Sequence, residues 1–202
     1  MNIKEKILNQ ALTLFNTEGV ENITTRHIAK PLNISQGNLH YHYPNKNEVI
    51  EALFCQFQKK IEGSAKYQPE QLFKKEQVLA SIKVNFEVMW DYRFLFKNNE
   101  VVWRRIPAIK SKMIHLLNIK KHEIHQIIIQ YQAAGIFRPD ISDKQITYLT
   151  DQFLFSISTW LIAKEYVSSK KNTVDYFAKL TFRLWLPYLT KNDMQKWEAL
   201  LK

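Results

Sequence analysis

Two side-chain amides, Gln36 and Asn38, flank Gly37 in the segment NISQGNLHYHYPNKN, residues 33–47. An amide carries a donor and an acceptor side by side, so it can pair with a base edge in the major groove of DNA. The residues that follow, Leu39-His40-Tyr41-His42-Tyr43, supply rings and hydroxyls of the kind that reach phosphates. The chemistry implied is sequence-specific recognition of double-stranded DNA. For each polar residue the plainer alternative is a helix cap or a solvated face, and for Ser35 capping is the first expectation.

Other residue groupings point to weaker chemistry. His122-Glu123-Ile124-His125-Gln126 nearly spells a zinc-protease motif, but that motif needs two histidines four apart, and Gln126 holds the fourth position. His122 and His125, three apart, with His115 earlier, remain able to share a metal, while flanking Lys120 and Lys121 argue for a solvated face. The expectation is no metal and no cofactor. Cys55 is the single cysteine, which excludes an internal disulfide and fits a reducing cytoplasm; burial in a helix is expected for it. No paired Asp-rich motif, no Glu-x-x-His pair and no nucleophile with an evident base is present, so an enzyme is not expected.

The elements that must hold these groups read as helices throughout. Only 4 Gly and 6 Pro interrupt 202 residues, and no strand-like alternation competes. Ile3, Ile7, Leu8, Ala11, Leu12, Leu14 and Phe15 recur at helical spacing and end at Gly19. Thr24 is a good N-cap for a second helix over 25–32, with Ile28, Ala29 and Leu32 as its apolar stripe. Asn33 marks a stop, and Ser35 caps a third helix over 36–42. Pro31 removes an N–H and clashes with the carbonyl of His27, so the second helix should end early or bend. A fourth helix begins near Lys46 with Val49, Ile50, Leu53, Phe54, Phe57 and Ile61 on its apolar side.

Gly63-Ser64 and Tyr67-Gln68-Pro69 mark a junction. Beyond it, helices are expected over 70–98, 107–134, 142–168, 172–189 and 191–201, with Ser142 and Asn192 as caps and Gly135 as a stop. Residues 148–163, YLTDQFLFSISTWLIA, are apolar almost all round, and residues 176–189 are similarly rich in large apolar groups. Such helices bury more than one side, which predicts a homodimer interface involving Phe155, Trp160, Phe182 and Trp185.

Net charge is +10, yet residues 1–62 hold 7 Lys and Arg against 6 Asp and Glu, while residues 63–202 hold 22 against 13. The segment expected to read DNA is nearly neutral. A solvated surface explains most of the excess; long-range attraction to DNA or an anionic ligand are the functional alternatives. The N-terminus MNIKEKILNQAL is too polar for a signal-peptide core, and no run of about 18 apolar residues exists to span a membrane.

Residues 3–53 resemble the TetR/AcrR family of bacterial transcriptional regulators. The resemblance rests on a first helix ending in Phe15 and Gly19, then Thr24-Thr25-Arg26, Ile28-Ala29, Ile34-Ser35, Gly37-Asn38-Leu39, and Tyr41-His42-Tyr43 before Asn45-Lys46. It implies an all-α chain with an N-terminal three-helix helix-turn-helix domain, residues 1–47, and a C-terminal helical ligand-binding and dimerisation domain, residues 48–202. It implies a cytoplasmic homodimer, a double-stranded operator, and release of a repressor by a small-molecule effector.

By position, the resemblance gives Thr25 a phosphate contact and Arg26 a phosphate or a base edge. Gln36 and Asn38 would read bases, Gly37 would admit the backbone to the duplex, and Tyr41 would reach phosphate. Lys46 would add a charged contact at a helix N-terminus. His40 stands where tyrosine is usual; an imidazole, with an unperturbed pKa of about 6.5, can donate to phosphate and make binding pH-sensitive. Aromatic side chains are mostly core by default, but Phe86, Trp90, Phe94, Trp103, Gln130 and Phe153 are expected to line the ligand pocket. The rival to a repressor is a helical interaction module that keeps the fold without reading an operator.

Overall fold

The computed structural model describes residues 1–64, 74–167 and 173–201, and among them all regular structure is helical. The helices are α1 (Ile3–Glu18), α2 (Thr25–Ala29), α3 (Gln36–His42), α4 (Lys46–Ser64), α5 (Lys75–Asp91), α6 (Phe94–Lys97), α7 (Asn99–Arg105), α8 (Pro107–Ala133), α9 (Asp143–Ala163), α10 (Val174–Arg183) and α11 (Lys191–Ala199). The chain divides into two compact units, Met1–Gly63 with Val88–Ile114, and Ser64–Glu87 with His115–Lys202, so the division falls inside α5 and α8.

In the first unit α1 opens on a reciprocal cap, Asn2 accepting from the Glu5 N–H while the Glu5 carboxylate accepts from the Asn2 N–H. It buries Ile7, Leu8, Ala11 and Phe15, one face at helical spacing. Gly19 stops it at φ 83°, a conformation in which a side chain would be strained. α4 buries Val49, Ile50, Leu53, Phe54, Phe57 and Ile61 as its periodicity requires. Tyr92 and Phe96 pack edgewise or tilted on Phe57, and Phe94 on Phe15. Cys55, expected to be buried, is exposed, because it lies off the stripe that Leu53, Phe54 and Phe57 define.

Pro31 acts as anticipated. α2 stops at Ala29, and Lys30–Leu32 continue as a single 3-10 turn with proline in it. Asn33 closes that turn in the left-handed region at φ 53°, its N–H bonded to the Lys30 carbonyl. Ile34 N–H returns to the Ala29 carbonyl, so the turn that orients α3 leaves few backbone groups unsatisfied.

The second unit is held by stacked rings. Trp185 lies against Phe153 (ring centroids 4.8 Å apart) and meets Phe137 and Tyr131 edge-on, while Trp197 stacks on Phe182 at 4.7 Å. Phe86 of α5 lies flat on Trp160 of α9 at 4.9 Å, and Phe177 of α10 completes that group. Lys83 of α5 pairs with Asp175 in the first turn of α10, and that hydrogen bond, with a second from Lys179, holds the Asp175 carboxyl below its ordinary range. Gly135, at φ 71°, ends α8, with Ile136 N–H bonded to the Tyr131 carbonyl.

Three of the four residues expected at a dimer interface belong to this core. Trp160, Phe182 and Trp185 are 2%, 0% and 1% exposed within one protomer, so they present no surface to a second. Phe155 is 69% exposed. Other boundaries also move. The helix expected over 70–98 breaks at Tyr92–Arg93 into α5 and α6, its first residues lying outside the described residues, as does the Tyr67-Gln68-Pro69 junction. Ser142 caps α9 reciprocally with Gln145, but Thr190 and not Asn192 precedes α11.

Truncating Trp185 empties the centre of the ring cluster. Trp185→Ala is expected to lower unfolding free energy by about 3–5 kcal/mol, read as a shift of the urea midpoint with unchanged slope.

Candidate nucleic-acid interface

α2 and α3 form the helix-turn-helix, and each is fixed by its first residues. Thr24 accepts from the His27 N–H, and His27 Nδ1 accepts from the Thr24 N–H. Ser35 accepts from the Asn38 N–H at 3.1 Å, the capping role anticipated for it. α3 buries one side chain, Leu39. Gln36, Gly37, Asn38 and His40 are exposed, and Tyr41 is 85% exposed, far more than a phenol ring in a folded chain usually is. A surface helix of seven residues with one inward side chain offers its whole outer face to a groove.

The structure brings Thr25, Gln36 and His40 together. Gln36 and His40, one turn apart on α3, place Nε2 atoms 3.3 Å from Thr25 Oγ1 at the start of α2. Arg26 is exposed beside them in sequence. At Gly37 an added Cβ would meet only Ser35 Oγ at 3.9 Å, so the fold itself does not require glycine there.

Lys46, expected to contact phosphate, has partners inside the unit. Its ammonium donates to the carbonyls of Val20 at 2.7 Å and Ile23 at 2.6 Å, the two ends of the α1–α2 connection. Those carbonyls lie past the end of α1 and before α2 and lack helical N–H partners, and an ammonium with three donors satisfies both. Burial, then the neighbouring Arg105 guanidinium, holds the Lys46 pKa below the ordinary lysine value, with Glu21 opposing. Nothing in the spacing distinguished a lysine aimed inward from one aimed at DNA. Asn45 Oδ1 caps α4 by accepting from the Asn47 and Glu48 N–H groups. Around this point Arg105 Nε donates to Asn47 Oδ1 at 2.6 Å and Arg104 pairs with Glu21.

These arginines alter the charge balance. Residues 88–114 carry six Lys and Arg against two Asp and Glu, so the compact unit bearing α3 holds thirteen against eight.

Residues 7–53 match a family model described as bacterial regulatory proteins, tetR family, and residues 56–196 match one described as bacterial transcriptional repressor. The chain belongs to the TetR family. It is 32% identical over 165 residues to the biofilm operon icaADBC HTH-type negative transcriptional regulator IcaR of Staphylococcus epidermidis, covering 78% of this chain and 82% of that one. An HTH-type transcriptional regulator of Staphylococcus aureus (strain MSSA476) is 26% identical, covering 94% and 96%. Among solved structures, a TetR-family transcriptional regulator from Marinobacter aquaeolei VT8 superposes with a TM-score of 0.90 at 26% identity, covering 100% of this chain and 98% of that one. Membership makes this chain a sequence-specific DNA-binding transcription regulator.

The six aromatic and amide residues expected to line a TetR-family ligand pocket fall into different units. Phe94 is core of the first unit against Phe15, Trp90 lies under the Arg93 guanidinium at 4.5 Å, and Trp103 lies under Lys110. Phe86 and Phe153 are buried in the second unit, and Gln130 is exposed. His125 faces Thr150 Oγ1 at 3.4 Å while His122 is exposed; among the described residues no three His, Cys, Asp or Glu side chains converge on a metal position.

Two substitutions separate scaffold from contact. Lys46→Gln is expected to lower stability by about 1–3 kcal/mol through loss of charged hydrogen bonds, leaving the slope of log K against log salt unchanged. A lysine that neutralised a phosphate would flatten that slope by about 0.9 instead. Gly37→Ala should leave the melting temperature unchanged or raise it, since alanine favours helix by up to about 1 kcal/mol. It should still weaken DNA binding in an electrophoretic shift; retained affinity would remove Gly37 from the close-approach role.

Proposed function

We propose that this TetR-family protein is a cytoplasmic homodimeric repressor that holds a two-fold operator through α3 and is released when a small molecule binds its helical domain. The observation that carries the reading is the outer face of α3, where Gln36, Asn38 and Tyr41 are exposed while Leu39 alone anchors the helix. Gln36 and Asn38 read base edges, Arg26 reaches phosphate or a base edge, and Thr25, Tyr41 and, from the cap, Ser35 hold the backbone. Repression accords with IcaR being a negative regulator. No chemical step is part of this role, and among the described residues no helix is long and apolar enough to cross a membrane.

The dimer is argued from α9. Tyr148, Phe155 and Ile162 recur every seventh residue and are 54%, 69% and 60% exposed. Seven residues are two helical turns, so they form one apolar stripe, which Tyr166 extends. Leu180 exposes further apolar surface on α10, at 45%. A stripe of this kind on a polar chain is covered by a partner, and a second copy supplies the matching stripe by symmetry. For the effector, Phe86, Gln130 and Phe153 are the proposed pocket residues that belong to the second unit.

The test is a gel-shift titration against duplexes from the DNA upstream of the protein's own gene, at rising salt. Specific retention with a steep salt slope supports the repressor, and equal binding of all sequences sinks base reading in favour of an interaction module. Phe155→Arg is expected to sediment as a monomer with undiminished helicity and to lose operator binding. A persistent dimer would move the interface off α9.

A further inference from the structure

We propose that His40 is a positioning residue that makes operator affinity depend on pH by controlling which way the Thr25 hydroxyl points. The inference rests on the reading above, in which Thr25 donates to a backbone phosphate.

A hydroxyl has one hydrogen and two lone pairs. Gln36 Nε2, a permanent donor, occupies one lone pair of Thr25 Oγ1 at 3.3 Å, and His40 Nε2 sits at the same distance from the same oxygen. What remains for DNA depends on the imidazole. Neutral His40 is placed, as part of this proposal, in the tautomer protonated on Nδ1. Its Nε2 is then an acceptor and draws the Thr25 hydrogen inward and away from phosphate, whereas the Nε2–H tautomer would leave that hydrogen free at either pH and there would be no relay. The imidazolium has no acceptor nitrogen. Its Nε2–H donates to the second lone pair, and the Thr25 hydrogen has no acceptor left inside the helix pair. It turns outward, where a phosphate oxygen accepts it. The same protonation places a positive charge beside that contact, which strengthens it.

The threonine is held for this purpose. Thr25 is the first residue of α2, fixed behind the Thr24 cap, and Gln36 and His40 lie one turn apart on α3 so that both reach one oxygen. The charged and titratable groups on α2, which packs on α3, are Arg26 and His27, followed by Lys30 in the next turn. α3 itself adds Tyr41 and His42, whose rings meet edge-on at 5.1 Å. His27 Nδ1 accepts from the Thr24 N–H, so it faces its own cap. His27 and His42 are imidazoles too, and the test separates their share from that of His40.

Fluorescence anisotropy with labelled duplexes tiled across the DNA upstream of the gene, at constant ionic strength, measures affinity between about pH 8 and about pH 6, where histidine titrates. Wild type is expected to bind roughly three- to tenfold tighter at the lower pH, the scale of one charge-assisted contact. His40→Gln offers an amide donor that does not titrate, so it should lose the share of the pH slope that His40 supplies and be no weaker than wild type at the upper end. His40→Phe should lose the same share and be weaker throughout; the slope left in it is the contribution of the other imidazoles.

Thr25→Val supplies the readout a simple added charge would not move. It keeps His40 and its charge but has no hydroxyl, so its pH slope should fall well below that of wild type, toward that of His40→Phe. A Thr25→Val slope as steep as that of wild type overturns the relay, and specific binding by wild type with no pH slope overturns the role of His40 altogether. Failure of wild type to prefer any duplex at either pH overturns operator reading itself, and this proposal with it.

Discussion

Isolated helices shorter than about 12–15 residues are marginal in water, and α3 has seven. Everything around it serves to hold that short segment while leaving its outer face uncovered. Leu39 is its only buried side chain, so packing alone secures little. The remainder comes from ends and connections: the Ser35 cap, the left-handed Asn33 turn, and the paired contacts of Gln36 and His40 with Thr25. One layer out, the Lys46 ammonium ties the carbonyls of Val20 and Ile23 to the first turn of α4. It thereby fixes the connection from which α2 departs. A half-buried cation with two short hydrogen bonds sets position more firmly than an exposed one could, because an exposed pair contributes little in water.

The second unit solves the opposite problem. Its central helix α9 spans 21 residues, so there helix formation needs little help. What must be specified is how the helices meet, and flat rings do this well: they interlock in few orientations and bury large areas. Trp185 meets five other rings, those of Tyr131, Phe137, Phe153, Phe182 and Trp197, and Trp160 packs on Phe86 and Phe177, which explains why both are sequestered. Apolar residues left over on α9 then mark a separate surface, since the core has no room for Phe155 or Ile162.

Local grammar was readable in the sequence wherever a residue's effect is confined to its own turn. Ser35 and Thr24 as caps, the 36–42 limits of α3, the stop at Asn33 and the shortening imposed by Pro31 all follow from such effects. Legibility ended where the outcome depends on what lies across the fold. The near-continuous apolar run of α9 says that more than one side is covered; it does not say that Trp160 faces its own protomer while Phe155 does not. The partners of Lys46 were illegible for the same reason: a helix-start lysine is equally suited to phosphates and to carbonyls left open by a neighbouring turn. Cys55 was misplaced by residue type, since cysteine is usually buried, when its angular position on α4 should have ruled. Tyr92–Arg93 breaks the expected long helix without a proline or glycine to announce it.

Charge shows why contiguous sequence is the wrong frame for this function. Counted over residues 1–62 the reading segment is almost neutral, yet the folded unit that contains it includes residues 88–114 and carries a clear positive excess. Attraction to DNA adds over every charge within about a Debye length of the phosphates, roughly 8 Å at physiological salt, whatever segment supplies it. Arg104 and Arg105, bonded to Glu21 and Asn47, bring α7 cations to the α1–α2 connection and the start of α4. Under the proposed reading, cations supplied by residues 88–114 add to the nonspecific share of attraction while the amides of α3 discriminate among sequences, so affinity and specificity would rest on different stretches of the same compact unit.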